Sequence, residues 1–92
     1  MLTVARALEL LRENDRYRFE DTITKEAGSE EAAGAVLWDV IAGEGTQPVA
    51  WTYDAIELLC AAPDSKRDPA LGAQMLISAD GLLADVQHLL RR

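Results

Sequence analysis

The sequence predicts an all-α protein, a compact bundle of four to five helices with a long amphipathic C-terminal helix. Three observations predict it. Apolar residues recur at steps of three, four and seven, the spacing that lines one face of a 3.6-residue helix. Cap and stop residues divide the chain at helix-length intervals, with Thr3, Ser29 and Asp68 as starts and Asn14, Gly43 and Pro63 as stops. Only one short segment alternates like a strand, and it has no convincing partner. The 92 residues, 49% hydrophobic and 27% charged, suit a single folded domain spanning 1–92. Aromatic residues make up only 5%, so aliphatic contacts must fill most of the core.

The first helix is expected from Thr3 to Asn14. Val4, Leu8 and Leu11 form its stripe with Ala7 beside them, while Arg6, Glu9, Arg12 and Glu13 face water. Arg6 with Glu9, and Glu9 with Arg12, are spaced for surface ion pairs. From Arg16 to Thr24 the parity of Tyr17, Phe19 and Ile23 is strand-like, and an extended connector is the favoured reading over a turn of helix. Gly28 then breaks the chain, Ser29 caps a second helix, and Glu30 and Glu31 fall in its first turn, where negative charge suits the helix dipole. Ala33, Val36, Leu37, Val40 and Ile41 line that helix, with Trp38 off the stripe, and Gly43-Glu44-Gly45 ends it.

A third helix begins at Thr46-Gln47-Pro48 or later at Thr52, the earlier start being favoured. Val49, Tyr53, Ile56, Leu59 and Cys60 share one face, and Trp51, Leu58 and Ala62 a second. Apolar character on two sides marks it as the expected central element. After Pro63-Asp64 and a polar loop, Asp68 caps the terminal helix and Pro69 takes its first position, where no amide hydrogen is needed. Leu71, Gly72, Met75, Leu76, Ala79, Leu82, Leu83, Val86, Leu89 and Leu90 carry its stripe to Arg92. Gly81 lies opposite that stripe, and the phase is kept across it, so one continuous helix is expected.

The net charge of −7 is unevenly spread. Residues 1–19 and 65–92 each carry three acids and four bases, whereas residues 20–64 carry ten acids and one base, Lys25. Direct nucleic-acid binding is therefore not expected, since phosphates are held by Lys and Arg. One cysteine, Cys60, excludes a disulfide within the chain and a Cys-based zinc site, and fits a reducing cytoplasmic location. No signal peptide is expected, and no run approaches the roughly 20 apolar residues of a membrane helix.

The motifs of phosphate loops, dinucleotide folds, zinc sites and nucleophile elbows are missing from the sequence. His88, the sole histidine, projects away from the apolar stripe with no nucleophile or orienting acid assignable to it. Ser29 sits at a helix start but in a Gly28-Ser29-Glu30 context, not the Asp-Ser-Leu of an acyl carrier protein. The expectation is therefore neither an enzyme nor a protein with a cofactor or metal.

The acidic middle offers another function. Carboxylates three or four residues apart on a helix lie about 5–6 Å apart, near the spacing of successive phosphates. Such a face can imitate nucleic acid toward a basic cleft. Glu26, Glu30, Glu31, Asp54 and Glu57 are the candidate acidic face, with Trp38 a candidate apolar anchor. In size, charge and helical content the chain resembles small acidic phage inhibitors, including some anti-CRISPR proteins. That likeness implies a basic nucleic-acid-binding protein or complex as partner. The alternative is a helical homodimer, antitoxin-like, immunity-like or scaffolding, joined through Leu76, Leu82, Leu83 and Leu89.

Overall fold

A computed structural model describes residues 1–13, 15, 18–43, 50–75 and 77–78. These residues are mostly helical. The elements in chain order are α1 (Val4–Glu13), α2 (Phe19–Ala27), α3 (Glu30–Ala42), β1 (Ala50–Trp51), α4 (Tyr53–Ala61), α5 (Pro69–Met75) and β2 (Ile77–Ser78). Helix α3 is the centre, packed against α1, α2, α4 and α5. None of the helices among the described residues is long and apolar enough to cross a membrane.

Local chemistry explains most of the boundaries. In α1 the Thr3 hydroxyl accepts from the Arg6 amide, 3.1 Å away. Gly28 ends α2 at φ 97°, a left-handed backbone that glycine adopts without a Cβ penalty. One residue later the Ser29 hydroxyl accepts from the Ala32 amide at 3.1 Å and starts α3. The Asp68 carboxylate accepts from the Leu71 amide at 3.1 Å, with Pro69 as the first residue of α5. These caps lie where the residue types require them.

Several expectations are corrected. Residues 19–24 are helix, not an extended connector. Phe19 and Ile23, both buried, are four residues apart, a spacing that satisfies a period of two and a period of 3.6 alike. Packing on α3 and α4 decides between them. Helix α4 begins at Tyr53 under a Thr52 cap, whose hydroxyl accepts from the Ala55 amide at 3.3 Å, so the later of the two starts is the real one. Helix α1 is rotated from its expected face: Ala7, Leu10 and Leu11 are buried, Leu8 is partly buried and Val4 is exposed. Tyr53 is exposed as well.

Of the helix predicted from Asp68 to Arg92, the described helical part is α5 over Pro69–Met75, and residues 79–92 lie outside the described residues. Ile77 and Ser78 are extended and pair in parallel with Ala50 and Trp51. Helix propensity distinguishes ordinary residues by only about 0.7 kcal/mol each, so tertiary pairing can override an uninterrupted apolar period. The candidate dimer seam, Leu76, Leu82, Leu83 and Leu89, lies outside the described residues, as do Gly81 and His88.

The core runs as one cluster from Leu2 to Ala62 and includes Ile23, Leu37, Ile56 and Leu59, the largest side chains shut off from solvent. Helices α3 and α4 approach closely at Gly34. A Cβ there would overlap the Leu58 carbonyl oxygen and lie 3.0 Å from the Ala62 amide nitrogen. Glycine is what allows the two backbones to cross this tightly.

Candidate functional site

Charged side chains at the start of α2, the start of α3 and along α4 converge on Glu20. Glu20 and Asp21 occupy the first turn of α2, Glu30 the first residue of α3, and Asp54 and Glu57 one side of α4. Each has a local reason to be where it is. Acids in a first helical turn face unpaired amides and the positive end of the helix dipole. Asp54 and Glu57 are three residues apart and so are neighbours on the helix surface. Packing of α2 against both α3 and α4 brings these groups near enough for their charges to act on Glu20.

Glu20 is half-buried, whereas Asp21, Glu30 and Glu57 are exposed. Desolvation raises the pKa of Glu20 above the ordinary glutamate value, and the charges of Asp54, Glu30, Glu57 and Asp21 raise it further. Both effects disfavour the carboxylate. Among the described residues, no three of His, Cys, Asp and Glu are grouped closely enough to hold a metal ion, so the acids form a diffuse field. Such an arrangement can attract a cationic surface.

Of the five expected acids, Glu30, Asp54 and Glu57 are brought together around Glu20. Glu31 is exposed beside Glu30 in the first turn of α3. Glu26 is engaged elsewhere. Six residues beyond Glu20 on α2, it lies about 9 Å further along the axis and on a different side of the helix. There Arg6 of α1 donates from Nε to Glu26 Oε1 at 3.0 Å and from Nη2 to Oε2 at 3.0 Å, a two-pronged pair. The Arg6 hydrogen bonds push the Glu26 pKa down. Arg6 also reaches Glu9 at 3.2 Å, the surface pair expected from spacing. Gly28 turns the chain between Glu26 and Glu30, so these two acids belong to different helices.

Other acids of the middle segment are also spoken for. Lys66 Nζ donates to Asp39 at 2.9 Å, and Arg67 pairs with Asp64 while donating to the Cys60 carbonyl at 3.4 Å. Charge counting along the chain therefore overstates the free field.

Trp38 is no surface anchor. It is 2% exposed, and its indole Nε1 donates to the Leu59 carbonyl at 2.8 Å, tying α3 to α4 through the core. Trp51 is buried too. A helix covered on nearly all sides gives an off-stripe tryptophan a neighbour that periodicity cannot reveal.

Glu20 and Asp21 are the two members of this group that lie outside the face expected from the sequence. Their signal is the adjacent acidic pair Glu20-Asp21, which falls in the first turn of α2. In an extended connector the pair would not share a helical turn; the start of α2 at Phe19 places it there. No protein-family model matches the chain, and neither a curated protein nor a solved structure shows significant similarity to it.

Proposed function

We propose that this protein is a non-enzymatic binding module whose carboxylate face engages a basic protein, most concretely as an inhibitor of a nucleic-acid-handling protein or complex. The observation that supports this reading is the convergence of Glu20, Asp21, Glu30, Asp54 and Glu57 from three helices. Like charges held together repel, and a half-buried carboxylate among them is poorly solvated. A groove built to hold phosphates supplies the Lys and Arg side chains that would relieve both costs. With Trp38 in the core, recognition rests mainly on charge, which predicts fast, salt-sensitive association.

The test is a pull-down with the tagged chain from host lysate, with and without nuclease, across a salt series. The expected result is capture of a basic nucleic-acid-binding protein that elutes steeply with salt and competes with DNA. A folded variant carrying Glu30→Lys, Asp54→Lys and Glu57→Lys should fail to capture it. Capture that is unchanged in this variant, or recovery of only the chain itself without salt sensitivity, would overturn the proposal. The latter result would favour self-association.

A further inference from the structure

We draw no further inference here: the strongest candidate, the cleft of about 310 Å³ between the end of α3 and the start of α5, carries nothing because its charged lining residues among those described are already engaged, Asp39 with Lys66, Arg67 with Asp64 and Asp68 as the cap of α5, which leaves none of them unpartnered to select a ligand.

Discussion

Replacing Gly34 with alanine is expected to destabilise the protein, although alanine is the better helix former. Gly34 lies within α3 where α4 crosses it. The added methyl would overlap the Leu58 carbonyl oxygen and approach the Ala62 nitrogen and Cβ to 3.0 and 3.1 Å. Two of these three atoms are backbone, so no side-chain rotation clears them; the helices must part. Overpacking a core costs about 1–3 kcal/mol, and the upper end applies where backbone must move. The gain in helix propensity is about 1 kcal/mol. The net is a loss of about 2 kcal/mol, or a fall in melting temperature of about 8–16 °C for a domain of this size. Thermal and urea unfolding followed by circular dichroism would measure it. A melting temperature equal to or above that of the unsubstituted protein would refute the close crossing, because propensity alone would then be acting.

Two glutamates of α2 should respond oppositely to neutralisation. The folded state raises the pKa of Glu20, so the native protein is penalised once pH exceeds the ordinary value of 4.5; Glu20→Gln should raise stability at neutral pH, with the gain vanishing in acid. Arg6 lowers the pKa of Glu26, so its contribution is present above 4.5 and is lost as pH falls through the folded value; Glu26→Gln should lower stability at neutral pH. Urea midpoints from about pH 3 to about pH 8, a range that brackets the roughly 4.3 of an ordinary glutamate, would test both, and equal signs at neutral pH would contradict the geometry. Trp38→Ala should cost about 3–5 kcal/mol as a core truncation; loss of partner capture with unchanged unfolding would instead identify an anchor. The Thr24 hydroxyl is buried and has no hydrogen-bond partner among the described residues, so Thr24→Val should gain about 1 kcal/mol in chemical denaturation, and a loss would reveal a partner for the hydroxyl.

The sequence by itself determined the features whose causes are local. Ser29 with Glu30 and Glu31, Thr3, and Asp68-Pro69 mark helix starts because side-chain oxygens, early acids and a missing amide hydrogen act within one turn. Gly28 marks a stop for an equally local reason. The helical class and the acidity of residues 20–64 were legible in the same way. Tertiary structure decided what depends on neighbours distant in sequence. Phe19 and Ile23 fit two periodicities, and packing against α3 selected the helix. Pairing of Ala50–Trp51 with Ile77–Ser78 puts extended backbone at four positions where helix was expected. Trp38 became core because α3, not α4, lies at the centre. The acidic face has the same origin. Spacing could place Asp54 beside Glu57, but only the packing of α2 on α3 and α4 could gather them around Glu20, and only the packing of α1 on α2 could bring Arg6 to Glu26. Charge acts through space, and distance in space is what the order of residues does not contain.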